Sequence, residues 1–181
     1  MTRRQWMLAA ACAAPARAQV PQAGALLIAT PASHDAEIAR SVILIVRSGV
    51  NGVTGLMLNR PTDASISTLF PKLKPDPDLV YKGGPIEQEV QALVRPPAKP
   101  LEADIVANNV FLVAKARAIA ALIESGTPSS EFRLFAGYTG WTAVQLRNEV
   151  HAGLWRVVPA QARVVFDSDP KSLWTRLTSA R

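Results

Sequence analysis

The residues of this sequence that could act in catalysis are few, and their spacing does not form a catalytic group. A serine or threonine nucleophile needs a histidine beside it and an acid behind the histidine. The sequence has two histidines, His34 and His151, and Ser33-His34-Asp35 contains all the required residue types. Adjacent residues cannot all point into one site, however, and no Gly-x-Ser-x-Gly elbow occurs. We interpret His34 as a loop residue and His151 as a helix-terminal residue that interacts with the helix dipole, so no catalytic residue is predicted.

Metal and cofactor chemistry has no better support. His34, Asp35 and Glu37 are close together, but no second group of ligands with metal-binding spacing occurs in the sequence. Gly83-Gly84-Pro85 lacks the Lys-Ser/Thr of a phosphate-binding P-loop, and Pro85 has no amide hydrogen to donate. A tight turn is therefore the favoured interpretation of these glycines. The sequence predicts neither a bound metal nor a cofactor.

Polar residues beside glycine turns remain as candidates for a ligand site. Small-molecule sites in sheet proteins form where strands end and loops converge. On this ground the candidate ligand-binding residues are Asn59, Arg60, Gly83, Gly84, Tyr138, Gln145 and Glu149. Without a nucleophile or a cofactor loop, the sequence favours a non-catalytic binding or regulatory protein whose partner is an unknown small molecule or another protein. The alternative is a small enzyme with its site near Asn59, Gly83-Gly84 and Tyr138.

Several of these candidates lie in the stretch Gly137-Tyr138-Thr139-Gly140-Trp141 and the segment that follows it. Thr142 and Gln145 match a capping box, which predicts a helix over residues 142–152. One face of this helix is apolar and is predicted to pack on the core, whereas Gln145 and Glu149 lie on another face. The stretch is therefore predicted to be a strand-to-helix junction. Its glycines would allow a positive φ or a close approach of another backbone.

The elements that position these residues are predicted to be short strands with helices among them. Apolar runs bounded by turn residues predict strands over 26–29, 41–47, 53–59, 79–81, 90–94, 110–113, 132–136, 154–158 and 164–166. Asn51-Gly52 predicts a hairpin between the second and the third of these strands. Helical spacing predicts further helices over 65–70, 115–125 and 170–177, and residues 96–108 are predicted to be an irregular loop. Since regular βαβ alternation is missing, we predict a mixed α+β fold with a largely antiparallel sheet and flanking helices.

Length and composition are those of a single globular domain. The chain has 181 residues, of which 49% are apolar and 19% are charged. We assign the domain to residues 24–178, after a short lead-in at 19–23. The net charge of +6 falls to +3 when Arg3, Arg4 and Arg17 are set aside. A domain with so small a positive charge lacks the concentrated Lys/Arg face of nucleic-acid-binding proteins, and nucleic acid is not a predicted partner.

Residues 1–18 have the pattern of a secretory signal peptide. Two arginines precede an apolar run that is too short to span a membrane, and Ala16-Arg17-Ala18 offers small residues at signal-peptidase spacing. Thr2-Arg3-Arg4-Gln5-Trp6-Met7-Leu8 resembles the twin-arginine pattern, and ordinary Sec export is the alternative route. We predict a periplasmic or otherwise exported protein after cleavage near Ala18, with no transmembrane span in the mature chain. The alternatives are a lipid anchor at Cys12 and a cytoplasmic location.

Separate motifs in the sequence, taken with their order and spacing, resemble the YqgE/AlgH family of bacterial proteins. The resemblance covers residues 24–178. The matching segments are Gly24–Pro31, Arg40-Ser41-Val42, Asn51–Pro61, Gly83-Gly84-Pro85, Gly137–Trp141, Gln145-Leu146, Glu149, Trp155 and Trp174.

This resemblance implies an α/β fold whose sheet is curled into a partial barrel and flanked by helices. It implies no established reaction. Some family members carry the label of transcriptional regulator, which gives a third hypothesis for the function. This sequence has neither a helix-turn-helix pattern nor a basic face to support that label. Most family members resemble cytoplasmic proteins, and an exported protein could not regulate transcription directly, so the leader and the label are in conflict.

Overall fold

A computed structural model describes residues 20–74, 76–96, 100 and 102–179, except for the side chain of Gln88. The predicted leader, with Cys12, lies outside these described residues. The strands within them are β1 (Ala25–Ala29), β2 (Val42–Gly49), β3 (Gly52–Met57), β4 (Pro61–Ser65), β5 (Leu79–Lys82), β6 (Ile86–Val94), β7 (Ala103–Ala107), β8 (Val110–Val113), β9 (Phe132–Trp141) and β10 (Trp155–Pro159). The helices are α1 (Ile66–Leu69), α2 (Ala116–Glu124), α3 (Ala143–His151), α4 (Ala162–Val165) and α5 (Leu173–Ser179), and a 3-10 turn over Pro170–Ser172 leads into α5. None of the described helices is long and apolar enough to cross a membrane.

The strands form a mixed sheet that is largely antiparallel, as the sequence predicts. Hydrogen-bonded neighbours follow the order β10-β1-β2-β3-β9-β6-β8-β7, and β4 joins the sheet through β5, which pairs with β9. The predicted hairpin between β2 and β3 is present, and its loop is Val50-Asn51 because Gly49 pairs with Gly52. β5 runs parallel to β9, whereas β6 and β3 run antiparallel to it. With three partners, β9 is the central strand of the sheet.

The sheet curls into a half barrel, so that β7 at one edge approaches β1 and β2 near the other. Gly24, just before β1, lies so near β7 that a β-carbon on it would be 2.6 Å from the Val106 carbonyl oxygen. Arg47 of β2 forms an exposed ion pair with Asp104 of β7 at 3.4 Å. The fold class predicted from the sequence and the partial barrel implied by the resemblance are both confirmed.

Apolar side chains cover both faces of the curled sheet. On the concave face, residues such as Leu44, Leu56 and Phe135 form an inner core, which Val165 and Leu173 of the C-terminal helices cover. On the convex face, α3 packs against β1, β2 and β3, and α2 packs against β6, β8 and β9. Since alternate residues of a strand point to opposite faces, the central strands have two buried sides. This is why they read as continuous apolar runs in the sequence.

A bulge at Gly137 changes which side chains of β9 point into the half barrel. Before it, Leu134 packs on the convex face and Phe135 on the concave face. Gly137 has a φ of 75°, and the register between β9 and β6 shifts at this point. After it, Tyr138 contacts the inner core and Trp141 packs on the convex face. The left-handed conformation of Gly137 reverses the alternation, so that Tyr138 faces the concave side and Trp141, three residues later, faces the convex side.

Besides β4, which the sequence patterns do not predict, and α4, which forms where a strand is predicted over 164–166, two elements differ from the sequence-based expectation. Residues 103–107, within the predicted irregular loop 96–108, form β7 at the edge of the sheet. Asp104 and Ile105 of this strand are both exposed, so it lacks the alternation that marks a strand in sequence. The stretch 137–141, predicted to be a strand-to-helix junction, instead continues β9 because β3 pairs with it. In both cases the pairing partner, and not the local sequence, decides the conformation.

Replacement of Gly84 by alanine is predicted to disrupt the centre of the sheet. A β-carbon there would lie 2.2 Å from the carbonyl carbon of Tyr138, in a strand that pairs on both sides. We expect Gly84→Ala to lower the free energy of unfolding by about 3 kcal/mol or more, the upper end of overpacking costs. Gly49→Ala is the control, since a β-carbon at Gly49 meets nothing within 4 Å. Equal urea midpoints for the two variants would contradict the packing argument.

Candidate functional site

Asn59 follows β3 and fixes the loop that leads into β2. Its side chain is buried, and its amide oxygen accepts a hydrogen bond from the Val42 N–H at 2.9 Å. Its amide nitrogen donates to the Arg40 carbonyl oxygen at 2.9 Å. Both polar ends of the side chain therefore bind backbone groups. Asn59 therefore positions Arg40, a residue with a φ of 57°.

Arg60 is half-buried beside Asn59 and contacts the same loop. Its Nη2 donates a hydrogen bond to the Ala39 carbonyl oxygen at 2.7 Å. Burial lowers the pKa of Arg60, and the positive charge of Arg40 lowers this pKa further. The loop before β2 and the loop after β3 thus each bring an arginine to this end of the sheet, with the Arg60 guanidinium group bound to the residue next to Arg40.

Gly83 and Gly84 connect β5 to β6 and cross β9 in direct backbone contact. Their β-carbons, if present, would lie 2.0 Å from the Gly137 carbonyl oxygen and 2.2 Å from the Tyr138 carbonyl carbon. The Gly83 N–H donates to the Ala136 carbonyl oxygen at 2.8 Å. The predicted tight turn is therefore a crossing that only glycine fits, and the Gly83 amide is already bonded within the sheet.

The structure brings the first five sequence candidates together and places the other two elsewhere. The Lys82 N–H donates to the Arg60 carbonyl oxygen at 2.8 Å, which links the loop after β3 to the glycine crossing. Gly84 in turn contacts the backbone of Tyr138, whose ring packs at the edge of the inner core. The remaining two candidates belong to α3 on the convex face. The seven residues therefore do not form one site.

Glu149 is at the centre of a polar cluster between α3 and the sheet. Its Oε2 accepts hydrogen bonds from the indole N–H groups of Trp141 at 3.0 Å and Trp155 at 2.8 Å. Its Oε1 accepts from the Gln145 side-chain amide at 2.9 Å. The two indole rings meet edge to face, with centroids 6.1 Å apart. Thr142 caps the helix by accepting from the Gln145 N–H at 3.1 Å, as predicted. The cluster thus attaches α3 to the convex face of the sheet.

A cleft of about 480 Å³ opens between β5, β9 and the C-terminal segment, where side chains of both cores meet. We call it the Tyr81 cleft. Its polar lining includes Asp78, Tyr81, Ser129, Arg133, Ser168 and Lys171. The side chains of Phe132 and Phe166 supply apolar walls. A cavity of this size, with convergent polar groups on apolar walls, has the character of a small-molecule site. No residue among the seven sequence candidates lines this described cleft.

Arg133 forms the floor of the Tyr81 cleft and is only 5% exposed. Its Nη1 donates to the Val165 carbonyl oxygen at 2.8 Å, and its Nη2 donates to the Asp167 carbonyl oxygen. Its Cζ lies 4.9 Å from the centroid of the Tyr81 ring, in cation–π geometry. Burial lowers the pKa of Arg133, although Tyr81 and Asp167 oppose this effect. The guanidinium group ties the C-terminal segment to β9 and brings a positive charge to the cleft.

Two further groups in the cleft have shifted pKa values. Burial raises the pKa of Asp78 and the Asp76 carboxylate raises it further, whereas the Ser129 hydroxyl lowers it. Burial also raises the pKa of Tyr81, an effect that Arg133 opposes and Asp78 reinforces. Shifted pKa values in a cleft mark candidate functional residues. No group of at least three metal-ligating side chains occurs within the described ranges.

Comparison with known sequences identifies the family. A family model described as AlgH-like matches residues 26–180. The chain belongs to the AlgH-like family. A UPF0301 protein of Idiomarina loihiensis is 32% identical over 161 residues, which are 84% of this chain and 87% of that protein. A UPF0301 protein of Azoarcus sp. (strain BH72) is 31% identical over 152 residues, which are 80% of this chain and 81% of that protein. The resemblance seen in the sequence motifs is confirmed.

Solved structures have the same AlgH-like fold. The crystal structure of protein DIP2367 from Corynebacterium diphtheriae has a TM-score of 0.72 and 27% sequence identity, covering 89% of this chain and 87% of that one. The solution structure of the AlgH protein from Pseudomonas aeruginosa has a TM-score of 0.68 and 24% identity, covering 92% of this chain and 88% of that one. The half barrel is therefore common to these proteins.

Sequence reasoning missed the Tyr81 cleft of this AlgH-like domain. One signal was available, because Arg133 stands between Phe132 and Leu134 in an apolar run that predicts a strand. An arginine at such a position requires buried hydrogen-bond partners, which other parts of the chain must supply. Asp78 and Tyr81 gave no such signal, since Phe166 and Lys171, which complete the cleft with them, are far away in the chain.

Removal of the Glu149 carboxylate is predicted to destabilise this AlgH-like domain. Glu149→Ala leaves two partly buried indole N–H groups without an acceptor. Because hydrogen bonds to charged groups contribute about 1.5–3 kcal/mol each, we expect a loss of about 2–4 kcal/mol in the free energy of unfolding. Gln145→Ala is the control, since its side chain is exposed and the change should cost less than about 0.5 kcal/mol. Urea unfolding followed by tryptophan fluorescence compares the two, and similar losses would refute a supporting role for Glu149.

Proposed function

We propose that this protein is a non-catalytic binding or regulatory protein, that it takes a small polar molecule in the Tyr81 cleft, and that it acts outside the cytoplasm after export. The observation that carries the binding proposal is the cleft itself, which has a volume of about 480 Å³ and a buried arginine in its floor. Burying a charged group is costly, so Arg133 is held by two backbone carbonyl groups and the Tyr81 ring.

The lining of the Tyr81 cleft favours a ligand with both a negative group and hydrogen-bond donors. Arg133 in the floor and Lys171 at the side supply positive charge. Asp78 and the hydroxyl group of Ser129 supply acceptors on the other elements. The Phe166 ring gives an apolar wall against which the body of a small molecule can pack. Polar groups of opposite character would then fix the orientation of the ligand.

The residue types that line the Tyr81 cleft support a non-catalytic role. The serines of the cleft have no histidine beside them among the described lining residues. A serine hydroxyl is a weak nucleophile without an adjacent base. Arg133 is also committed to backbone hydrogen bonds, which suits binding and positioning.

A small enzyme is the second candidate, and one observation favours it. The pKa of Asp78 is raised by burial and by Asp76, and the Ser129 hydroxyl interacts with the same carboxyl group. A carboxyl group with a raised pKa is suited to general acid–base work. Turnover of a bound compound during prolonged incubation, abolished in Asp78→Asn, would establish this alternative over simple binding.

The binding proposal predicts that a side chain placed in the cleft blocks a stabilising ligand. The full chain is screened by thermal shift against a metabolite library, since a ligand that binds only the folded state raises the melting temperature. A compound that stabilises the wild type should have no effect on Ser168→Trp, because the indole would occupy the cleft. Ser125→Trp is the control, since Ser125 is exposed at the end of α2, away from the cleft lining. An equal rise in melting temperature for both variants would show that the ligand binds outside the cleft.

The export proposal rests on the leader pattern of residues 1–18, which lies outside the described residues. The paired Arg3 and Arg4 precede a short apolar run and a small-residue cleavage site. An exported protein that folds before transport would need the twin-arginine route.

Replacement of both leader arginines tests whether export follows the twin-arginine route. In a bacterial host with both export systems, residues 1–22 fused to a reporter should deliver a cleaved product outside the cytoplasm. Arg3→Lys with Arg4→Lys should leave the precursor uncleaved, because the twin-arginine route depends on that pair. Arg17→Lys is the control for the loss of an arginine outside the pair. Immunoblots of fractionated cells show whether the reporter is cleaved and in which compartment it lies. Normal export of the double variant would assign the Sec route, and a reporter that always stays cytoplasmic would refute export.

A further inference from the structure

We propose that Arg40 and Arg60 form a binding site for an oxyanion, the phosphate or carboxylate group of a small molecule, at the end of the sheet where β2 begins and β3 ends. This site is separate from the Tyr81 cleft, and the proposal does not rest on the function proposed for that cleft. Among the described residues that line the Tyr81 cleft, neither Arg40 nor Arg60 is present.

The first observation is that the two charges have no counter-ion among the described residues. Within the described part of the chain, neither arginine has a carboxylate oxygen within 4.0 Å. The neighbouring Glu37 is paired with Lys82 at 3.1 Å, so this acid is already neutralised. The charge of Arg40 also lowers the pKa of Arg60 beyond the effect of burial. An anion bound between the two guanidinium groups would relieve this repulsion.

The second observation is that the backbone at Arg40 is held in an unfavourable conformation. Arg40 has a φ of 57°, a region that residues with a β-carbon rarely adopt. The buried Asn59 maintains it by donating to the Arg40 carbonyl oxygen and accepting from the Val42 N–H, both at 2.9 Å. Glycine would fit this position without strain. Strain that the surrounding structure maintains is typical of functional positions. Here the constrained backbone fixes the position of the Arg40 β-carbon, from which the side chain extends.

The third observation is that both guanidinium groups are oriented and still have free donors. The Arg40 Cζ lies 5.0 Å from the centroid of the Trp174 ring. That ring is itself fixed, because the Trp174 Nε1 donates to the Ala29 carbonyl oxygen at 2.7 Å. Arg60 is anchored by one bond from Nη2 to the Ala39 carbonyl oxygen. A guanidinium group has five N–H donors in a planar fork, so donors remain on both side chains for a phosphate or carboxylate.

Direct titration of the full chain tests the proposal. Inorganic phosphate and acetate are titrated by calorimetry at constant ionic strength, which distinguishes a phosphate site from a carboxylate site. We expect saturable binding of at least one of them, and Arg40→Gln should weaken it by about tenfold or more, since a charge-assisted bidentate contact is lost. Arg95→Gln is the matched control, because the Arg95 guanidinium group also lies over an aromatic ring, that of Phe166, at 5.7 Å. It should bind the same anion within about twofold of the wild type.

Each contrary result has a definite meaning. Equal binding by wild type and Arg40→Gln would show an adventitious ion only and would overturn the proposal. An equal loss of anion binding in Arg95→Gln would show that the affinity depends only on net charge, and this result would also overturn the proposal. Loss of binding in Ser168→Trp but not in Arg40→Gln would place the anion in the Tyr81 cleft, again contrary to the proposal.

A second variant separates binding from packing. Arg40→Gly relieves the left-handed backbone and the repulsion with Arg60, so its melting temperature without added anion should equal or exceed that of the wild type. Its anion binding should be lost. Asn109→Gly is the control, because Asn109 also has a φ of 57° but stands in the turn between β7 and β8, and it should retain binding. A clear loss of stability in Arg40→Gly, without any change in anion binding, would show that Arg40 is kept for its packing on Trp174.

Discussion

The crossing of Gly83-Gly84 over β9 is the contact on which the rest of this structure depends. The two backbones approach so closely that β-carbons on these glycines would lie 2.0 Å and 2.2 Å from atoms of Gly137 and Tyr138. This contact lets the chain leave a strand that runs parallel to β9 and enter one that runs antiparallel to it. It also directs Tyr81 toward the concave side and joins Lys82 to the loop at Arg60. Both candidate sites therefore lie beside segments that the crossing fixes.

The two faces of the curled sheet are completed in different ways. On the convex face, the Glu149 carboxylate binds two indole groups and attaches α3 firmly to the sheet. On the concave face, Arg133 holds the C-terminal segment through backbone carbonyl groups of Val165 and Asp167. That segment covers the inner core but leaves the Tyr81 cleft open beside it. The Tyr81 cleft is thus where buried charge, apolar walls and accessible space occur together, and these are the properties that ligand binding uses.

Much of the fold followed from the sequence, whereas the candidate site did not. The β2–β3 hairpin, the helix capped by Thr142 and the mixed sheet all rest on local patterns of turn residues and apolar periodicity. β7 was missed because its conformation comes from pairing with β8 at an exposed edge. Glu149 is a ligand candidate in the sequence because its helix face is separate from the apolar one, yet the bulge at Gly137 leaves Trp141 facing α3. The consequence of that bulge depends on the register with β6 and cannot be read from neighbouring residues.

The sequence by itself determined the family, the fold class and the presence of close backbone contacts at its glycines, because these depend on local conformation and on the order of motifs. Only the tertiary structure decided which polar side chains are committed to backbone groups and which are available. Asn59 satisfies two backbone partners that lie about 20 residues before it in the chain. Arg133 meets carbonyl groups more than 30 residues after it. Hydrogen bonds and charge burial depend on distances in space, and chain curvature brings such partners together regardless of their separation in sequence.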